Sequence, residues 1–220
     1  MRNLLNVITP LHKKTKREYL SRMNNDKIKC MKIARKYDKD FWDGDRKFGY
    51  GGYKYDGRQS IIAEKLIEQY DLKEDAKILD VGCGKGFLLY EFKRLLPKSE
   101  VIGFDISKYA IENAEKEVKS NLFIHNAKDR YPFKNKNFDL AISITTLHNL
   151  PIEELKKSLR EMQRVAKNKY LVVESFRNEE ELFNLQCWAL TCNSFFTPKD
   201  WTYIFKDSNY TGDYEFIYFE

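Results

Sequence analysis

A glycine-rich turn between a short apolar segment and an amphipathic one most constrains the fold of this chain. Residues 77–81 (KILDV) predict a buried strand, residues 87–96 (FLLYEFKRLL) predict a helix, and GCGKG lies between them. Glycine allows a backbone to turn tightly and to approach a ligand closely. A strand, a glycine turn and a helix in this order are typical of a parallel sheet that is covered by helices.

Strand and helix patterns alternate along most of the chain. After a helix near residues 61–70 come predicted strands at 77–81, 101–105, 121–125, 138–144 and 170–175, with helices at 87–96, 108–119 and 151–166. This alternation implies right-handed βαβ connections. We therefore expect the α/β class: a doubly wound, mainly parallel sheet with helices on both faces. A helix at 179–192, a helix that begins at Thr197-Pro198 and an edge strand at 214–220 are expected to complete it.

The N-terminal region is basic, whereas the rest of the chain is slightly acidic. The chain has a net charge of +6, and residues 1–36 hold eleven basic side chains against Glu18 and Asp26. Residues 10–37 predict one or two polar helices, broken near Asn24-Asn25-Asp26. A basic arm is compatible with nucleic acid, an anionic membrane surface, an anionic substrate or a solvated helical face.

The second predicted helix of this arm has few apolar residues. Ile28, Met31 and Ile33 are the expected apolar anchors. We divide the 220 residues into a helical arm with a glycine-rich lid, at 1–58, and a ligand-binding domain at 59–220.

Residues 41–58, here named the Gly/Tyr-rich segment, hold five of the ten glycines and six aromatic residues. We interpret the segment as a lid with glycine hinges and an aromatic wall that excludes water. Tyr50, Tyr53 and Tyr55 are candidate hydrogen-bond partners of a substrate, and Arg58 is a candidate partner of a carboxylate. The alternative is a structural connector that packs on the domain.

Composition limits the location and the kind of site. The longest apolar runs are too short for a membrane span, and the N-terminus does not resemble a secretory signal. The four cysteines are not paired in spacing, so we expect free thiols in a reducing cytoplasm. His12, His125 and His148 are too scattered for a metal site, and none is predicted.

The glycine turn has an acidic partner one strand later. Asp105 ends the second predicted strand, 23 residues after Gly82, where a carboxylate can accept hydrogen bonds from both hydroxyls of a ribose. Phe87 stands where a dinucleotide fingerprint requires glycine, so a pyrophosphate is not expected. A ligand with an amino-acid end fits better, because Asp80 and the turn backbone can bind an ammonium and a carboxylate.

These motifs resemble the class I S-adenosylmethionine-dependent methyltransferases over about residues 60–175. LDVGCGKG is similar to the first motif of that family, VIGFDIS to the second, and HNAKDRYPFKNKNFDLAIS to the third and fourth. The resemblance implies a Rossmann-like fold, S-adenosyl-L-methionine as cofactor, and a bacterial subgroup marked by the Gly/Tyr-rich segment. It implies these cofactor-binding residues: Asp80, Gly82, Cys83, Gly84, Gly86, Asp105, Ile106, Asn126, Ala127, Ser143 and Ile144.

The resemblance leaves the acceptor open. His148 follows the fourth strand and is the candidate base, and Glu174 at the end of the fifth strand is a weaker candidate. We expect O- or N-methylation of a small polar molecule, such as a sugar or another anionic or hydroxylated metabolite. The alternatives are an RNA methyltransferase that uses the basic arm and a catalytically silent cofactor-binding partner subunit. The sequence does not specify an oligomeric state.

Overall fold

The computed structural model describes residues 3–220, so residues 1 and 2 of the predicted arm lie outside the description. Its centre is a six-stranded sheet in the order β3-β2-β1-β4-β5-β6, with every pair of neighbours parallel. This is the order of a doubly wound Rossmann-like sheet, and it confirms the predicted α/β class. The strands are β1 Lys77–Val81, β2 Glu100–Asp105, β3 Leu122–Ile124, β4 Phe138–Ile144, β5 Ala166–Glu174 and β6 Asp213–Ile217.

Helices precede the sheet and connect its strands. They are α1 Thr9–His12, α2 Tyr19–Asn24, α3 Lys27–Ala34, α4 Lys39–Asp43, α5 Gln59–Tyr70, α6 Phe87–Leu95, α7 Lys108–Glu112, α8 Ile152–Val165, α9 Glu179–Trp188 and α10 Pro198–Asp207. The start of α10 is as predicted: Thr197 is the N-cap, Pro198 occupies the first turn, and a capping box closes it.

Side chains of β1 alternate between two apolar cores, one on each face of the sheet. Ile78 belongs to one core, which includes the α5 residue Leu66 and the α6 residue Phe92. Leu79 belongs to the opposite core, which includes Met162 of α8, and successive strand residues point to opposite faces. The helices thus cover both faces of the sheet. Within residues 3–220, no helix combines the length and the apolar character that crossing a bilayer requires.

Two helices end earlier than predicted because tertiary hydrogen bonds replace the next turn. The chain leaves α7 after Glu112, and the N–H of Glu115 donates to the carbonyl of Lys85 in the glycine turn at 3.0 Å. The chain leaves α9 after Trp188, and the N–H groups of Asn193 and Ser194 donate to the carbonyl of His148 at 3.0 and 2.9 Å. Both irregular segments therefore brace the loops that follow the strands.

The arm is broken at Asp26, as predicted, because this residue has a left-handed φ of 44° and caps α3. The prediction of Ile28 as an apolar anchor was wrong, since its side chain is 69% exposed. Cys30 and Ala34, which lie four residues apart on one helical face, are buried against Leu190 instead.

The first described residues of the arm lie along the edge of the sheet. Leu4 forms a parallel bridge with Tyr214 of β6. The buried Glu215 carboxylate accepts hydrogen bonds from the N–H groups of Val7, Ile8 and Thr9, at 2.7, 3.0 and 2.6 Å. The predicted edge position of the last strand is confirmed, and the arm is attached to that edge.

Candidate functional site

A cavity of about 910 Å³ lies at the carboxyl ends of the strands, between the sheet and the N-terminal region. Four of its lining residues lie at or just after the ends of four strands: Gly82 after β1, Asp105 on β2, Ile144 on β4 and Glu174 on β5. In a doubly wound sheet, ligands bind at these ends. This cavity is the candidate site.

The glycine turn is fixed to the end of β2 by hydrogen bonds. Gly82 and Gly84 have φ values of 81° and 55°, a left-handed region that glycine adopts without strain. The Asp105 carboxylate accepts hydrogen bonds from the N–H of Gly84 at 2.9 Å and from the N–H of Ser107 at 2.8 Å. The turn and the acidic residue are therefore held together before any ligand binds.

Asp80 places a second carboxylate beside the turn. Its side chain is only 5% exposed, and it makes no hydrogen bond or ion pair within residues 3–220. Burial and the nearby Asp105 carboxylate raise the pKa of Asp80 to about 7. Burial also raises the pKa of Asp105. Two buried acidic groups without a cation fit a ligand that brings an ammonium and hydroxyl donors, as S-adenosylmethionine does.

His148 and Glu174 form a second pair of side chains that lines the cavity. The N–H of Glu174 donates to His148 Nδ1 at 3.3 Å, and His148 Nε2 lies 3.4 Å from Glu174 Oε2. Burial lowers the pKa of His148, and the Glu174 charge partly opposes this. A neutral imidazole that accepts at Nδ1 carries its proton on Nε2, so His148 can donate to the carboxylate.

The N-terminal region covers the glycine turn directly. The buried Trp42 indole donates from Nε1 to Ser107 Oγ at 2.8 Å and to the Tyr37 carbonyl at 3.1 Å. A Cβ added to Gly84 would stand 3.0 Å from the Trp42 ring. The absence of a side chain at Gly84 therefore makes room for the cover as well as for the turn.

Aromatic stacking extends this cover toward α6. The Trp42 and Tyr50 rings are stacked with centroids 5.2 Å apart, and the Tyr50 and Tyr53 centroids are 4.5 Å apart. Tyr53 then stacks on Phe87, the first residue of α6, at 4.9 Å. Such pairs add about 0.5–1.5 kcal/mol each beyond the area they bury.

An ion pair joins the same segment to the glycine turn. Lys85 Nζ lies 2.7 Å from Asp43 and donates to the Tyr53 carbonyl at 2.8 Å. Although burial opposes it, hydrogen bonds from Lys85 and Tyr109 lower the pKa of Asp43. The pair is largely buried, with side-chain exposures of 7% for Lys85 and 24% for Asp43. Removing one partner would leave a poorly solvated charge.

A sequence family described as "Methyltransferase domain" matches residues 72–209, which is more than half of the chain. The chain belongs to this methyltransferase family. An uncharacterized protein of Methanocaldococcus jannaschii is 31% identical over 67% of this chain and 49% of its own length. The demethylmenaquinone methyltransferase of Bacillus velezensis is 30% identical over 60% of this chain and 62% of its own length. The chain thus spans about half to two thirds of the length of these relatives.

Solved structures support the same fold. The YcgJ protein of Bacillus subtilis is similar with a TM-score of 0.53 and 21% sequence identity, and the match covers 66% of each chain. At this identity the similarity concerns the fold alone. The predicted family and the predicted fold are both confirmed.

The methyltransferase structure brings most of the predicted site residues to one cavity. Its lining includes Asp80, Gly82, Cys83, Gly84, Asp105, Ile106, Asn126, Ala127, Ile144, His148 and Glu174, together with Tyr50, Tyr53 and Arg58. Residues that are up to 124 positions apart in sequence thus line the same cavity. Arg58 lies there with its guanidinium already paired to the Asp56 carboxylate.

Three predicted residues lie elsewhere. Ser143 is fully buried in the sheet and donates to the Val81 carbonyl at 2.9 Å. Gly86 is the N-cap residue before α6, has a positive φ and lies against the side chains of Val118 and Leu122. The Tyr55 hydroxyl bonds to the Glu91 carboxylate, away from the cavity. All three have structural contacts that spacing along the chain does not distinguish from ligand contacts.

The sequence interpretation did not identify several residues at this site. Three arginines, Arg17, Arg22 and Arg46, line the cavity beside Trp188. The charge excess of the arm was the available signal, but it does not separate arginines that face a cavity from lysines that face water. Among residues 3–220, no group of three or more His, Cys, Asp or Glu side chains is arranged to hold a metal ion.

Proposed function

We propose that this chain is an S-adenosylmethionine-dependent methyltransferase that methylates an oxygen or nitrogen atom of a small polar molecule. The observation that carries the proposal is the Asp80–Asp105 pair beside the glycine turn, at the carboxyl ends of β1 and β2. When bound, the cofactor supplies a methyl group on a sulfonium.

In this proposal each wall of the cavity has a separate task. Asp105 accepts hydrogen bonds from the ribose hydroxyls, and Asp80 pairs with the ammonium of the methionine end. Ile106, Asn126 and Ala127 surround the adenine, and Ile144 lies near the methionine portion; the lining of the cavity by all four residues supports this assignment. A set of well-placed contacts is sufficient, because methyl transfer depends chiefly on the alignment of the acceptor atom with the methyl group.

The acceptor must lose a proton as its bond to the methyl group forms. Glu174 is the better-placed proton acceptor, because its carboxylate lines the cavity and both ring nitrogens of His148 already face Glu174. We propose that Glu174 takes the proton and that His148 holds its carboxylate in place. This proposal gives His148 a positioning role in place of the role of base that we expected from its place in the sequence.

The Gly/Tyr-rich segment is proposed as the cover that excludes water from this reaction. The contacts of Trp42 with the glycine turn and the Lys85–Asp43 ion pair support a closed arrangement. A cavity with walls from both the sheet and the N-terminal region favours a small acceptor over an extended polymer.

Calorimetric titration with S-adenosylhomocysteine tests the cofactor assignment. We expect one ligand per chain, and Asp105→Asn should weaken binding about tenfold or more, because a charge-assisted acceptor of two hydroxyls is lost. Asp139→Asn is the matched control, since Asp139 lies at the opposite end of the sheet and bonds to the N–H of Lys77. Equal affinities of the wild type and Asp105→Asn would refute the assignment.

RNA methylation is the second candidate, and the basic arm is what favours it. It predicts RNA binding that falls steeply with salt and disappears when residues 1–36 are removed. The silent-subunit alternative predicts cofactor binding without methyl transfer to any acceptor. All four cysteines are buried free thiols, which supports the cytoplasmic location that we propose.

A further inference from the structure

Three arginines lie around one tryptophan in the lining of the cavity. The guanidinium carbons of Arg22, Arg46 and Arg17 lie 4.6, 5.0 and 5.4 Å from the centroid of the Trp188 ring. Because all three distances are measured to one ring, three positive charges occupy a small region. All four side chains line the cavity.

These charges have no acidic partner. Within residues 3–220, none of the three guanidinium groups lies within 4.0 Å of a carboxylate. Their hydrogen bonds go to backbone carbonyls instead: Arg17 to His12 and Thr15, Arg22 to Trp188 and Arg46, and Arg46 to Gly49. Carbonyls orient a guanidinium group but do not neutralise it.

Donor groups remain unused in this cluster. The buried Nε of Arg17 has no hydrogen-bond partner among the described residues. Burial and the Arg46 cation lower the pKa of Arg22 to about 10. This direction agrees with the absence, within residues 3–220, of a carboxylate beside the Arg22 guanidinium group. Each guanidinium group has five N–H donors in a planar fork, a geometry that matches carboxylate and phosphate oxygens.

We propose that Arg17, Arg22 and Arg46 form a binding subsite for an oxyanion, a carboxylate or a phosphate group, on the methyl acceptor. This deepens the proposed function and rests on it for the identity of the ligand as a substrate. The Glu174 charge acts on Arg17 across the same cavity. The acceptor therefore places its anionic group among the arginines and its reacting atom near Glu174.

The Trp188 ring gives the subsite a second property. Its π-face attracts the guanidinium groups and keeps them close together, so a ligand meets a preformed set of donors. Lys13, Lys14 and Lys16 of the same arm are exposed and do not line the cavity. These three lysines thus face water, whereas Arg17 and Arg22 of the same arm line the cavity.

Inorganic phosphate is the probe for this subsite. The thermal unfolding midpoint of the full chain is followed against phosphate concentration, with ionic strength held constant by sodium chloride, since a ligand of the native state raises it saturably. Acetate is titrated in parallel to separate phosphate from carboxylate preference. We expect Arg22→Gln to weaken the apparent phosphate affinity about tenfold or more. Lys16→Gln removes the same charge from the same arm and should match the wild type.

The outcomes distinguish this proposal from that of the cofactor site. No saturable response of the wild type to either anion, or an equal response of Arg22→Gln, would overturn the oxyanion subsite. Arg46→Gln, a change at a more exposed side chain, serves if Arg22→Gln does not fold. S-adenosylhomocysteine titration of the same variants should be unchanged. A different outcome is that neither the wild type nor its variants bind S-adenosylhomocysteine, while the wild type responds to phosphate and Arg22→Gln does not. In that case the cofactor assignment fails and the oxyanion subsite stands.

Discussion

Replacing Asp80 by asparagine should change how the stability of the chain depends on pH. Burial and Asp105 raise the pKa of Asp80 from 3.8 to about 7 in the folded chain. Between these two values the folded state binds a proton that the unfolded state has released. The contribution of Asp80 to wild-type stability is therefore most favourable at low pH, and it becomes less favourable as pH rises toward 7. The Asp80→Asn variant has no charge to bury at this position, so it lacks this dependence.

The size of the effect follows from the shift. Each pH unit inside the window costs about 1.4 kcal/mol. From pH 5 to pH 7, the wild type should lose up to about 3 kcal/mol relative to Asp80→Asn, and the difference should level off above pH 7. Water that enters the cavity reduces this figure, so it is an upper value.

Chemical denaturation at pH 5, 6, 7 and 8 measures the difference directly. The exposed Asp75 provides the control, because Asp75→Asn makes the same chemical change away from the cavity. A stability difference between the wild type and Asp80→Asn that stays constant over this range would contradict the raised pKa of Asp80. It would mean that the Asp80 carboxylate is already well solvated or paired in the folded chain.

Three further changes test other parts of the structure. Gly84→Ala should lower the free energy of unfolding by about 1 kcal/mol or more, because its φ is 55° and the new Cβ would stand 3.0 Å from an aromatic ring of the cover. Gly52→Ala has a positive φ but open space, and an equal cost there would contradict the contact. Asp43→Asn leaves Lys85 without its anion and should speed limited proteolysis of the Gly/Tyr-rich segment. An unaltered cleavage rate would mean that the Lys85–Asp43 ion pair does not hold this segment on the glycine turn. Burial and Arg17 lower the pKa of His12 from 6.5 to about 3, so wild-type stability should fall as pH drops below 6.5, and His12→Asn should flatten that fall in thermal unfolding.

The sheet could be predicted from the sequence because its signals are local. Apolar runs such as 77–81 and 138–144 are long enough to define buried strands, and both lie where they were expected. The acidic residue at the end of β2 follows from the same pattern. A glycine turn and a strand end are close in sequence, so their spacing already implies their place in space.

The packing of the N-terminal region, which includes α3 and the Gly/Tyr-rich segment, could not be predicted in the same way. Ile28 is exposed and Cys30 is buried because Leu190, 160 residues later, determines which face of α3 packs. Tyr55 and Tyr53 are two residues apart, yet one bonds to Glu91 and the other lines the cavity. Choices of this kind depend on long-range contacts that composition and periodicity do not contain.

The arginine cluster illustrates the same limit for the site. The net charge of the arm was compatible with an anionic partner and equally with a solvated helical face, and only the fold places Arg17, Arg22 and Arg46 around Trp188. Sequence separation between Arg46 and Trp188 is 142 residues, so no local motif joins them. The chemistry of the residues was readable, whereas their convergence was not.

A crystal structure of the complex with S-adenosylhomocysteine tests the central claim most directly. We expect an arrangement with the ribose hydroxyls on Asp105, the ammonium group beside Asp80, and the sulfur facing the space between Glu174 and the three arginines. A ligand that binds elsewhere, or that occupies the cavity with its ribose away from Asp105, would contradict it.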